Sequence, residues 1–144
     1  MALALKQADK ASQQKEVPVG AVITYQDKVI ARAHNRVEKK QSVTYHAEII
    51  ALKQAARKLG SWRLDKCELY VTLEPCAMCA GAIIWSRISR VIYAVADPKA
   101  GACGSVLTVI GNKQLNHLPK LKANVMSAES SRLLKAFFRE LRKK

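Results

Sequence analysis

The feature that most restricts this chain is an early hairpin followed by strict alternation between strand-like and helix-like segments. GAVITY and VIARA are β-rich runs separated by Gln26, Asp27 and Lys28, a hairpin spacing, and a short helix from Leu3 to Ala11 precedes them. Ile49, Leu52, Ala56 and Leu59 then recur at helical spacing, with Lys53, Arg57 and Lys58 on the outer face and Gly60 where a terminal glycine ends a helix. CELYVTL reads as a strand that stops at Glu74 and Pro75, and the proline suits the first turn of a helix over AMCAGAIIWSR. RVIYAVAD is a further strand, and DPKAGACGS is a loop whose glycines let backbone approach a ligand closely. Residues 106–121 carry no clear pattern. Beyond them NVMSA is expected to be the last strand. ESSRLLKAFFRELRKK is expected to be a helix with Leu133, Leu134, Phe137, Phe138 and Leu141 on one face and basic residues on the other. Strands alternating with helices after a hairpin imply a three-layer α/β/α fold around a mixed sheet, with function at strand ends and loops.

With 144 residues and no repeat or linker, residues 1–144 should form one domain. No apolar run reaches the roughly 18 to 20 residues of a membrane span, and lysines and an aspartate interrupt the opening MALALKQADK, so neither membrane insertion nor export is expected. Four cysteines in such a chain read as thiols or metal ligands of a cytoplasmic protein. Twenty-five Lys and Arg against eleven Asp and Glu leave a net charge of +14. That excess points to a polyanionic partner, better nucleic acid than an acidic membrane surface, and the terminal RELRKK concentrates it.

Cys76 and Cys79 stand three apart where a strand enters a helix, so both sulfurs can project from one side of the first turn. The helix N-terminus favours the thiolates that a metal needs. On its own the pair is equally a redox couple or half a structural zinc knuckle. His46, in HAE at the head of the preceding helix, occupies a parallel position and supplies a third ligand. Cys67, Cys103, His34 and His117 lack knuckle spacing with these three, although Cys103 in its loop stays open as a fourth. One neutral imidazole and two thiolates suit a single Zn2+ with a water in the fourth position. In a regular helix Glu48 lies roughly 200° around from His46, so it is assigned a separate role as the carboxylate that moves protons. Glu16 and Glu74 read as carboxylates that position backbone. Trp62, Trp85, Phe137 and Phe138 read as packing groups, and His34 and His117 as surface or turn residues.

HAE followed about thirty residues later by PCAMC matches the H-x-E…P-C-x-x-C signature of zinc nucleobase deaminases. Together with EVPVGAV, AHNR, TLEPCAMCAGA and DPKAGACGS, it resembles the bacterial tRNA-specific adenosine deaminase family over most of the chain. The resemblance implies a cytidine-deaminase-like fold with a five-stranded mixed sheet, one Zn2+ per subunit, a homodimer, and conversion of the wobble adenosine of a tRNA anticodon stem-loop to inosine. It also implies that Asn35 hydrogen-bonds the nucleoside, that Val17, Pro18 and Ala47 shape its pocket, and that Asp97 and Lys99 meet flanking nucleotides. QSVTYHAE departs from the DPTAHAE-like run common in that family. Two rivals remain: a deaminase of free guanine or a cytidine nucleotide, and a zinc-stabilised nucleic-acid-binding module without catalysis.

Overall fold

A computed structural model describes residues 1–144. It contains helices α1 (Ala2–Gln13), α2 (Val37–Lys40), α3 (Ala47–Leu59), α4 (Ala77–Trp85) and α5 (Ser127–Arg142), and strands β1 (Gly20–Tyr25), β2 (Lys28–His34), β3 (Cys67–Leu73), β4 (Arg90–Val95) and β5 (Lys120–Lys122). The strands form one five-stranded mixed sheet in the order β2-β1-β3-β4-β5, with β1 antiparallel to β2 and β3, and β4 parallel to β3 and β5. The expected layered α/β architecture is therefore present. No helix is long and apolar enough to cross a membrane.

Local chemistry accounts for the elements. The hairpin turn is the two residues Gln26 and Asp27, both at positive φ (50° and 61°), as a tight turn matching strand twist requires. Gly60 ends α3 in the left-handed conformation. Period-two burial divides the sheet. Ala21, Ile23, Leu69, Val71 and Val91 meet α3 and α4 in the main core, whereas α1 and α5 pack together across β1, β3 and β4. Helix α1 lies almost on the backbone of β1, since a Cβ at Gly20 would collide with the main chain of Ala4 and Ala8.

Several expectations are corrected. NVMSA is not a strand: Asn124 and Met126 have positive φ and lead into α5. The last strand is KLK at 120–122, exposed throughout and so without hydrophobic alternation; it forms because β4 offers a parallel edge, and its lysines leave the outer edge charged. The core-facing stripe of α3 is Ala47, Ala51, Leu52 and Ala55, because alanines let the helix approach the sheet closely, while Ile49 and Ala56 face away. On α5 the deeply buried residue is Ser130, whose hydroxyl donates to the Thr72 carbonyl, whereas Phe138 and Leu141 are exposed. Trp62 and Trp85 are 60% and 71% exposed and are not packing groups of this chain's core. His34 is buried beneath α1, its ring nitrogens facing Gln7 Oε1 and Gln14 Oε1.

Candidate active site

The site lies beyond the C-terminal ends of parallel β3 and β4, where α3 and α4 begin side by side. His46 and Cys76 are the N-cap residues of α3 and α4, both with extended backbone (φ −70°, ψ 150° and φ −74°, ψ 175°). Pro75 therefore precedes the cap instead of opening the helix. Neither cap residue makes a side-chain capping hydrogen bond, and both side chains turn toward each other. His46 Nδ1 lies 3.6 Å from Cys76 Sγ and 3.4 Å from Cys79 Sγ, and one ligand atom from each of the three residues falls within 4.8 Å of the others. Cys103 is outside this group, so three protein ligands and no fourth converge.

Without a cation the three groups share protons among themselves, and a metal bound there would replace the protons held on Cys79 and His46. The Cys79 thiol, followed by the His46 imidazole, holds the Cys76 thiol at about 4 against the cost of burial. Cys79 is pushed far up because it shares its proton with Cys76, and its burial adds to this. The hydrogen bond to Cys76 raises His46 against its own desolvation. Glu48 is in the first turn of α3, 4% exposed. Because His46 is a cap and not a helical residue, the helical-wheel angle between them does not apply. Burial still pushes the Glu48 carboxyl up to about 7, against the lowering effects of its backbone N–H, the His46 charge and the Cys79 thiol. A carboxyl poised near neutrality can take up and release a proton in turn.

These groups open into a cleft of about 290 Å³, small enough to enclose one nucleobase-sized ligand. Val17, Asn35 and Asp97 line it with His46, Glu48 and Cys76. Pro18 and Ala47 are fully buried and do not line it, and Lys99 is exposed on the loop beyond Asp97. Val19, Leu73 and Glu38, which sequence reasoning did not single out, add to its walls; only their positions beside EVPVG, TLEPC and AHNR hinted at this.

Two buried carboxylates brace opposite walls by accepting backbone N–H groups, as read from the sequence. Glu74 accepts from the N–H groups of Asp97 (2.9 Å), Cys103 (2.9 Å) and Ser105 (3.2 Å) and from the Ser105 hydroxyl. Burial raises its pKa, but the Ser105 hydroxyl and those N–H groups more than offset this and leave it below the ordinary range. Gly101 is required beside it, because a Cβ there would strike the Glu74 carboxylate. Asp97 in turn accepts from the N–H groups of Lys99 (2.9 Å) and Ala100 (3.3 Å), closing the turn at the cleft rim.

The MafB19-like deaminase family matches residues 1–142. The chain is 45% identical over 141 residues to the tRNA-specific adenosine deaminase of Bacillus subtilis, covering 98% of this chain and 88% of that one. The chain belongs to the tRNA-specific adenosine deaminases, within the MafB19-like deaminases. A solved structure described as concerned with A-to-I editing by tRNA:A34 deaminases at the wobble position superposes on this deaminase with a TM-score of 0.90 at 42% identity, covering 93% and 97% of the two chains. The guanine deaminase of Bacillus subtilis is more distant, at 30% identity and a TM-score of 0.65 over 98% and 90% of the two chains.

Proposed function

We propose that this chain hydrolyses the wobble adenosine of a tRNA anticodon loop to inosine and ammonia, using one zinc ion and Glu48. The observation that carries the reading is the convergence of His46, Cys76 and Cys79 beside the buried Glu48 carboxyl, in a chain of this family. Zinc fits the donor set: tetrahedral bonding at about 2.3 Å to sulfur and about 2.0–2.1 Å to nitrogen separates the two donors by about 3.6 Å. The N–S distances of 3.6 and 3.4 Å match this. His46, Cys76 and Cys79 would hold the ion, which when bound would supply the Lewis acidity that makes water a nucleophile at neutral pH.

Glu48 would take one proton from the attacking water at its carboxylate and deliver it to the purine ring nitrogen beside C6 as the C–O bond forms. As the C6 carbonyl forms, the carboxylate would take the remaining hydroxyl proton and deliver it to the exocyclic nitrogen, so that the C6–N bond breaks and ammonia departs. Asn35 binds the nucleoside, Val17 forms the apolar wall, and Pro18 and Ala47 hold that wall from behind. Asp97 and Lys99 carry the rim that meets flanking nucleotides. The excess of positive charge supports an RNA substrate over a free base and draws the polyanion in. Residues 1–144 act as one unit, and a tRNA substrate together with thiolate ligands fits a cytoplasmic setting.

We further infer a homodimer. Ile49, Leu52, Ala56, Trp62, Ala82 and Trp85 form an apolar groove between α3 and α4 on the outer side of the site, and a second copy would cover the two exposed tryptophans. The deciding experiment incubates zinc-loaded protein with an adenosine-bearing anticodon stem-loop, free adenosine, guanine and cytidine. Inosine should form in the stem-loop and be read by sequencing; release of ammonia only from guanine or cytidine, or from none of these, refutes the proposal.

A further inference from the structure

Glu16 is 1% exposed, lines the cleft and touches no cationic side chain. All its partners are neutral N–H donors. Its Oε1 accepts from the Lys39 N–H at 2.8 Å, and its Oε2 accepts from the Glu38 N–H at 3.2 Å and from Asn35 Nδ2 at 3.3 Å. A carboxylate is an acceptor only, whereas an amide side chain has one donor end and one acceptor end. Asn35 must therefore turn its NH2 toward Glu16. Its backbone is fixed as well, through the Asn35 N–H to the Val19 carbonyl at 3.0 Å.

We propose that Glu16 is a positioning residue that sets the hydrogen-bonding polarity of the cleft: by holding Asn35 Nδ2 it leaves Asn35 Oδ1 as an acceptor for a hydroxyl or N–H of the nucleoside. This rests on the reading that Asn35 contacts substrate. The same carboxylate pins the start of α2, so the wall and its polar group are fixed together. Glu16 itself does not touch the reacting atoms.

Paired substitutions can invert and then restore this polarity. In Glu16→Gln, Oε1 keeps the shorter bond from the Lys39 N–H, so Nε2 faces two donors, the Glu38 N–H and the Asn35 NH2. Asn35 relieves its own clash by rotating its amide, which offers NH2 to the cleft in place of oxygen. In Asn35→Asp two carboxylates oppose each other. In the double variant Glu16→Gln/Asn35→Asp, the introduced amide donates through its NH2 to the introduced carboxylate, whose second oxygen again offers an acceptor to substrate.

With the stem-loop as substrate, each single variant should lower kcat/KM by about 10- to 100-fold, mainly through KM, since the contact exists before the chemical step. The double variant should recover about tenfold over Glu16→Gln, the unpaired Glu38 N–H being common to both. The side-chain amide signals of Asn35, followed by NMR in substrate-free, zinc-loaded protein, should move and lose exchange protection in Glu16→Gln. A double variant no better than Glu16→Gln, or Asn35 amide signals unchanged in that variant, overturns the proposal. If the wild type does not convert the stem-loop, the functional reading fails, while the amide signals still decide how Asn35 is held.

Discussion

Replacing Glu74 with glutamine tests how the loop over the cleft is held. Of the four hydrogen bonds at this 2% exposed carboxylate, two reach Oε1, from the N–H groups of Cys103 and Ser105, and two reach Oε2, from the Asp97 N–H and the Ser105 hydroxyl. Glutamine keeps the first pair with its oxygen, and the Ser105 hydroxyl can rotate to accept from its NH2. The Asp97 N–H is then left facing another donor. Stranding one buried donor costs about 1–3 kcal/mol, and weakening two charge-assisted bonds to neutral ones adds about 1 kcal/mol, for about 3 kcal/mol in total. For a chain of this length that lowers Tm by about 6–12 °C. Both proteins are unfolded in urea and by heat at one fixed free zinc concentration, because the bound ion stabilises the native state by mass action. The pH dependence has a definite sign. The Glu74 pKa is lowered by folding, so its stabilisation is full above the unfolded value of about 4.3 and is lost as pH falls through the folded value. The gap between the two proteins should therefore close in acid. A gap below about 1 kcal/mol at pH 7, or one that persists undiminished in acid, refutes this account of the loop.

Glu48→Gln should retain metal, measured by elemental analysis, yet lose at least about 100-fold in turnover, the usual contribution of a positioned proton carrier. Because burial raises the Glu48 pKa, the native state binds the extra proton and stability falls as pH rises from the unfolded value toward about 7. The chelator-treated glutamine variant should accordingly outlast chelator-treated wild type in urea at pH 8. Trp85→Glu should shift sedimentation toward the monomer without changing the metal content, as a charge in the α3–α4 groove opposes self-association. The logarithm of stem-loop affinity, followed by fluorescence anisotropy, should fall linearly with log salt. Deleting Arg142, Lys143 and Lys144 should reduce that slope by roughly 0.7 for each phosphate these residues neutralise.

The clustering of His46, Cys76 and Cys79 was legible because its determinants are local. Each motif stands at the head of a helix, Cys76 after β3 and His46 after the loop that follows α2, so HAE and PCAMC mark parallel positions, and Cys79 follows one turn on. The layered sheet was legible for the same reason, as period-two and helical patterns alternate from Gly20 to Val95. What escaped depended on neighbours distant in the chain. KLK carries no alternation and becomes β5 only because β4 presents an open edge. In α3 the bulky residues invited a core assignment, whereas closeness to the sheet selects alanine and sends Ile49 to the outer groove. Trp62 and Trp85 read as core residues by type, yet both are exposed, Trp85 at the end of α4 and Trp62 in the loop after α3. His34 has no local mark of burial; α1 supplies it by folding back over β2. The walls of the cleft from Glu38 and Leu73 likewise come from segments that meet only in three dimensions.

His46 and Cys76 occupy positions where most helices place serine, threonine, aspartate or asparagine, and neither bonds the free N–H groups of its own helix. Each helix forgoes a cap worth about 1 kcal/mol. This sets thermostability against catalysis at two identifiable codons. Selection for heat resistance alone, with the metal irrelevant to survival, favours aspartate at position 46 or serine at position 76. A hardened but inert protein would be its product. Engineering that seeks a tougher enzyme must therefore take its gains elsewhere, and the starts of these two helices are sites to hold constant.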